Sequence, residues 1–172
     1  RDVDENIGRI RSFYEKFSTA KCFFAYTAHQ GRFVGENGWF GSQWMMDQSM
    51  RVPLILTMIN GDEGASRTIE SNVQDIDFAP TILSLANCKS FDASHGIALN
   101  TEDWNSTRLR KRQALYFHHY DFPGSSMIAK HNGIRTETHK LINYYQFGEL
   151  ELFDLFSNPI DSKNIIDAYD EI

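Results

Sequence analysis

Between residues 27 and 44 the chain carries His29, Gln30, Arg32, Glu36, Asn37, Trp39 and Trp44, interrupted by Gly31, Gly35, Gly38 and Gly41. This is a long polar loop after a short apolar run, and open α/β sheets bind ligands in the crevice outside the carboxyl ends of their strands. Trp39 and Trp44 border the loop and offer stacking surfaces for a sugar. The other nearby aromatics, Phe13, Phe23, Phe24, Phe33 and Phe40, read as core or loop packing. Three carboxylates, Glu36, Asp47 and Asp77, invite comparison with the paired acid–base chemistry of glycosidases. Their contexts argue otherwise, because Asp77 reads as a helix cap and Asp47 as part of a turn. His118 and His119 close an apolar run, and adjacent strand residues point to opposite faces. They therefore do not serve one site: one reads as solvated, the other as hydrogen bonded at a sheet edge. Arg108-Leu109-Arg110-Lys111-Arg112 is the one basic run and reads as a solvated face before a phosphate or sulfate patch.

These residues need elements to position them. Ile7, Ile10, Phe13, Tyr14 and Phe17 recur at helical spacing, and Asp2 or Asp4 can cap the start, which predicts an amphipathic helix over Asp4 to Phe17. Residues 22–27 and 52–59 are apolar runs without alternation, the second closed by Asn60-Gly61. That pattern predicts strands buried on two faces, as in parallel sheets covered by helices. Asp77 caps a further helix carrying Ile82, Leu83 and Leu85, with Pro80 tolerable in its first turn. Asn87 to Trp104 is polar and irregular and marks the domain boundary. Beyond it, residues 114–119, 133–136, 139–145 and 149–154 are short aromatic and β-branched runs, close enough together that only hairpins can join them. They predict a small antiparallel sheet, with a last helix over residues 162–171.

Composition narrows the function classes. The 172 residues hold 17 Lys and Arg against 23 Asp and Glu, a net charge of −6, with 41% hydrophobic residues. This is the balance of a globular protein, and the acidic surplus argues against a general nucleic-acid partner. No stretch approaches the roughly 18 consecutive apolar residues of a membrane span. The start, Arg1-Asp2-Val3-Asp4-Glu5, has neither an initiator Met nor a signal pattern and reads as internal to a longer protein. Two cysteines, Cys22 and Cys88, allow one disulfide and leave the redox compartment open.

Gly35-Glu36-Asn37-Gly38-Trp39-Phe40, followed by residues Trp44 to Ile55 with Arg51-Val52-Pro53-Leu54, resembles the sulfatase family. So do Val73 to Leu83, Gly133-Ile134-Arg135-Thr136 with Lys140-Leu141-Ile142, and Glu151-Leu152-Phe153-Asp154-Leu155 with Asn158-Pro159, in the family's order. The resemblance implies the C-terminal portion of a three-layer α/β/α, alkaline-phosphatase-like core over residues 1–90. Residues 91–172 then form a small antiparallel C-terminal subdomain with its helix. It implies a hydrolase of sulfate esters, sulfated glycans among them, in which formylglycine attacks sulfur while Ca2+ polarises the sulfate. No Cys/Ser-X-Pro-X-Arg motif occurs, so the formylglycine is expected upstream, the rest of the polypeptide being a partner of this part. A periplasmic or secreted location is also implied.

By the same resemblance, His29 and Gln30 occupy the positions of the metal ligands, where the family has an aspartate followed by histidine or asparagine. Calcium prefers carboxylate and carbonyl oxygens, so affinity falls, although the Gln30 carbonyl still qualifies. His29 suits zinc better, but one His beside one Gln is too few ligands for that metal. Ser42 stands where a sulfate-neutralising lysine is expected, a loss of about 10²–10³ in rate by analogy with removing one oxyanion donor. Asn37 replaces the histidine of Gly-Glu-His-Gly. His131 and Arg135 are the expected substrate contacts. Two function classes follow: a sulfatase with a substituted loop, or an inactive relative that binds a sulfated ligand or a partner protein. A phosphatase of the same superfold is a third, lacking ligands in this loop. Without earlier strands, the sheet faces of residues 22–27 and 52–59 are expected to be partly uncovered and the residues to fold poorly alone.

Overall fold

The computed structural model describes residues 1–61, 68–89, 93–99, 112–124 and 127–169. Four of the five residues of the basic run, Arg108 to Lys111, lie outside the described residues, as do 170–171 of the expected last helix.

Helix α1 spans Asp2–Phe17, two residues earlier than expected, with Asp2, Asp4 and Glu5 in its first turn and Lys16 in its last. Those charges complement the helix dipole. None of its residues is buried; Ile10, Phe13, Tyr14 and Phe17 are exposed and cluster on one another, with ring centroids 5.6 Å apart for Phe13 and Tyr14 and 5.1 Å for Phe13 and Phe17. Strand β1 (Cys22–Thr27) follows, then the two-residue strands β2 (Phe33–Val34) and β3 (Phe40–Gly41), the one-turn helix α2 (Asp47–Met50) and strand β4 (Leu54–Ile59).

β1 and β4 pair antiparallel, from Cys22 opposite Ile59 to Thr27 opposite Leu54. The expected parallel arrangement is thereby corrected for this pair. The absence of alternation carries no information on direction, and neither strand is buried on both faces here: Ile59 is buried but Ile55 is exposed. The connection folds as a hairpin and one helical turn that bring the chain back beside β1 in the opposite direction.

A 3-10 turn at Asp75–Asp77 leads into α3 (Phe78–Leu85). Asp77 stands at the expected N-cap position of α3, but its side chain makes no capping bond to that helix. Its carboxylate accepts the Gln74 N–H at 2.8 Å and the Ile97 N–H at 2.7 Å, and pairs bidentately with Arg112 at 2.5 and 2.7 Å, while fully buried. It therefore ties two segments distant in sequence, at Ile97 and Arg112, to the start of α3, and leaves no lone pair idle.

The C-terminal part is a four-stranded antiparallel sheet in the order β5-β6-β7-β8, formed by Leu115–His119, His131–Arg135, His139–Tyr144 and Glu149–Asp154. These are the strands the sequence predicts. Alternation along β7 sends Lys140, Ile142 and Tyr144 inward and His139 and Leu141 outward. Ile142, Tyr144, Phe153 and Leu155 form the core with Met45, and Met46, Met50, Phe117 and Ala129 pack around it. The segment leading into α2 thus seats on the inner face of the sheet. Gly133 permits this approach, since a Cβ there would run into the Met45 sulfur and the Leu141 carbonyl oxygen.

The expected helix over 162–171 is, within the described residues, a single 3-10 turn at Ile166–Tyr169. The Asn164 side chain accepts both the Leu152 N–H and the Ile166 N–H at 2.9 and 3.0 Å, an alternative to helical bonding that holds the segment against β8. Cys22 and Cys88 are both free thiols. Among the described residues no helix is long and apolar enough to cross a membrane.

Candidate functional site

The polar loop folds as a small hairpin, with Phe33 opposite Gly41 and Val34 opposite Phe40. Phe33 is its one buried anchor. The Glu36 carboxylate accepts the Val34 N–H at 2.7 Å; that bond, together with its own backbone N–H, holds its pKa below the ordinary value. Asn37 at φ 52° turns the chain in the left-handed region, where Asn is among the tolerated residues. Trp39 and Trp44 meet edge to face at 4.6 Å.

Gln30 donates from Nε2 to the Ser42 hydroxyl at 2.8 Å, so two of the four substituted positions are brought together. His29 is exposed on the same loop. The loop is pinned to α2 through Gly31, whose N–H donates to the Ser49 carbonyl at 2.8 Å. Only glycine fits there, because a Cβ would run into the Gln48 carbonyl oxygen.

The three carboxylates considered for acid–base chemistry go to separate partners. Glu36 serves its own hairpin and Asp77 pairs with Arg112. Asp47, at the first position of α2, receives Arg135 Nε and Nη2 at 3.2 and 3.1 Å and Lys140 Nζ at 2.6 Å. Burial pushes the Asp47 carboxyl up, but the Arg135 hydrogen bonds and the Lys140 charge more than offset it and hold it below the ordinary value. Lys140, itself fully buried, also donates to Asp161 Oδ2 at 2.6 Å. The sequence reading missed Lys140 and Asp161. Their signal was only partial: a lysine at an inward position of an alternating strand must find a buried acid.

His131 lies on β6, fully buried between Phe117, His119 and Tyr144, with ring centroids 5.7, 5.3 and 5.4 Å away. Its Nδ1 donates to the Ala129 carbonyl at 2.8 Å, and Nε2 has no partner among the described residues. Burial lowers its pKa, and His119 and His118 add to the effect. The ring is held neutral behind the sheet face and presents no open edge. Arg135, one quarter exposed, is committed to Asp47. His118 and His119 do face opposite ways. His118 bridges the Tyr116 and Tyr145 hydroxyls at 2.9 and 3.1 Å and stacks on Tyr120, while His119 is buried and donates from Nε2 to the Asp121 carbonyl at 3.0 Å.

Among the described residues no group of three or more His, Cys, Asp or Glu is placed to hold a metal ion. Gln30 offers one amide oxygen and His29 one imidazole, far from the about six to eight oxygens that calcium takes. These residues alone do not fit that ion.

The C-terminal family model of N-sulphoglucosamine sulphohydrolase matches residues 35–171. The chain is 35% identical over 167 residues to an N-acetylglucosamine-6-O-sulfatase of Bacteroides thetaiotaomicron, covering 95% of this chain and 30% of that protein. It is 26% identical over 175 residues to an arylsulfatase of Clostridium perfringens, covering 96% and 34%. The solved structure of BT4656 in complex with its substrate D-glucosamine-2-N,6-O-disulfate superposes at a TM-score of 0.76 with 32% identity, over 98% of this chain and 35% of that one. The chain therefore spans about a third of the length of the curated relatives it matches. By its sequence and its fold, it belongs to the C-terminal domain family of the N-sulphoglucosamine sulphohydrolase sulfatases.

Proposed function

We propose that these residues form the C-terminal part of a sulfatase acting on sulfate esters of amino sugars. The observation that carries this reading is the similarity across nearly the whole chain to an N-acetylglucosamine-6-O-sulfatase. In this reading residues 1–90 complete an alkaline-phosphatase-like α/β/α core and residues 91–172 are the C-terminal subdomain. The loop 28–44 faces the sulfated ligand, with His29 and Gln30 beside the sulfate and Trp39 beside the sugar. Arg135 acts from behind the loop, by holding Asp47, and His131 supports the sheet beneath it. When bound, calcium and formylglycine would supply the Lewis acid and the nucleophile; the residues present here do not fit the ion, and both belong upstream.

The hydrogen bond between Gln30 and Ser42 favours a second reading, an inactive relative that binds a sulfated ligand. It engages the Gln30 amide N–H, leaves the carbonyl oxygen free, and stands where a cation would stabilise developing charge. The test is sulfate release from N-acetylglucosamine-6-sulfate by the full polypeptide, for wild type and Ser42→Lys, beside equilibrium binding of the same sugar. Release that rises by about 10²–10³ in Ser42→Lys supports the first reading. Saturable binding with no release in either protein supports the second, and neither binding nor release overturns both.

A further inference from the structure

The loop 28–44 is anchored from the far side of the molecule by a buried cation. Lys140 is fully buried on β7, and its ammonium lies 2.6 Å from both Asp47 Oδ1 and Asp161 Oδ2. Asp161 Oδ2 also accepts the Asp47 backbone N–H at 2.8 Å, so the first residue of α2 is gripped by main chain and side chain at once. Asp161 adopts φ 53°, a conformation costly for a non-glycine residue and kept where surroundings over-determine it. Its neighbour Ile160 turns its carbonyl to Asn37 Nδ2 at 3.3 Å and Gln48 Nε2 at 3.4 Å, one on the loop hairpin and one on α2. From α2 the path continues through the Ser49 carbonyl to the Gly31 N–H, and the next residue, Gln30, reaches Ser42.

A buried ion network is a poor device for stability alone, since well-packed apolar residues of like volume are often neutral or better. What it supplies is a fixed geometry, because each charge accepts only one arrangement of partners. We propose that Lys140 and Asp161 are positioning residues for the ligand loop: they set where Gly31 and Gln30 stand by clamping α2 and the hairpin to the C-terminal sheet. The proposal rests on the reading that this loop faces the sulfated ligand, but its test does not require turnover.

The test is hydrogen exchange followed by mass spectrometry on the full polypeptide, comparing wild type, Lys140→Met, Asp161→Asn and Lys140→Arg. The expected result is a loss of protection in peptides covering residues 28–50 for Lys140→Met and Asp161→Asn that exceeds any loss in peptides of β6 to β8. Lys140→Arg, which keeps the charge, restores part of the loop's protection. Unchanged protection of 28–50 in a folded variant overturns the proposal. So does a uniform loss across sheet and loop in the near-isosteric Asp161→Asn, which would make the network a general support. Absence of both sulfate release and sugar binding in wild type, with these exchange patterns intact, would sink the functional reading and leave the positioning role standing.

Discussion

The loop 28–44 and the inner face of the β5–β8 sheet are built on opposite principles. The sheet is regular: inward positions alternate with outward ones, and Ile142, Tyr144, Phe153 and Leu155 close over Met45. The loop has two-residue strands, one buried anchor in Phe33, and bonds mostly to itself. The substituted positions all fall on the irregular region, which can change side chains without disturbing a core. The contrast also explains the buried charges. A loop that buries so little of its apolar surface is held by polar contacts, and these run to the sheet through Asp47, Lys140 and Asp161.

The largest way to break this relation is Lys140→Met, which leaves buried Asp161 without a counter-ion and Asp47 with Arg135 alone. Breaking one partner of a buried pair costs about 3–5 kcal/mol, and urea unfolding is expected to show a loss of that size. Adding Asp161→Asn to it is expected to restore part of the loss, since one stranded charge is removed; a further drop would contradict the network. Next comes Gly31→Ala. Its Cβ meets the Gln48 backbone, and overpacking of this kind costs about 1–3 kcal/mol; the same unfolding curves check it, and a neutral effect would deny the close approach of loop and α2.

Acid sharpens the comparison with a smaller, graded effect. His131 has its pKa lowered in the fold, so the unfolded chain binds that proton more readily and stability falls as pH drops below the ordinary histidine value of 6.5. Asp47 is also lowered, so its contribution is present above the ordinary 3.8 and lost as pH falls further through its folded value. Glu151, raised by burial, works against the trend. Thermal melts between pH 7 and 5 are expected to show a decline that is absent in His131→Phe. The smallest effect belongs to the exposed pair Arg11 and Glu15 on α1, at 2.7 Å. Arg11→Ala is expected to change stability by less than about 0.5 kcal/mol in urea unfolding.

The sheet was legible in the sequence because its signal is local. Residues 139–145 are rich in aromatic and β-branched side chains, and Gly148 marks the turn before 149–154. The antiparallel pairing of β1 with β4 was not, since the absence of alternation carries no information on direction. The last helix failed because Asn164 diverts two backbone N–H groups to its own side chain. In the site, the loop was identified by its residue types, but the Gln30 bond to Ser42 and the partners of Asp47 depend on contacts between residues far apart in the chain. Lys140 lies 93 positions from Asp47, and no local pattern names a partner at that distance. His131 and Arg135 were read as substrate contacts, while the fold gives one a buried niche and the other a carboxylate.

The most direct test of the central claim, that the chemistry resides in the loop and its placement in the sheet, is sulfate release by the full polypeptide compared in wild type, Ser42→Lys and Ser42→Lys/Asp161→Asn. The account predicts that lysine at position 42 raises release and that Asp161→Asn takes most of that gain away again while the protein stays folded. A Ser42→Lys gain that survives Asp161→Asn undiminished would contradict it.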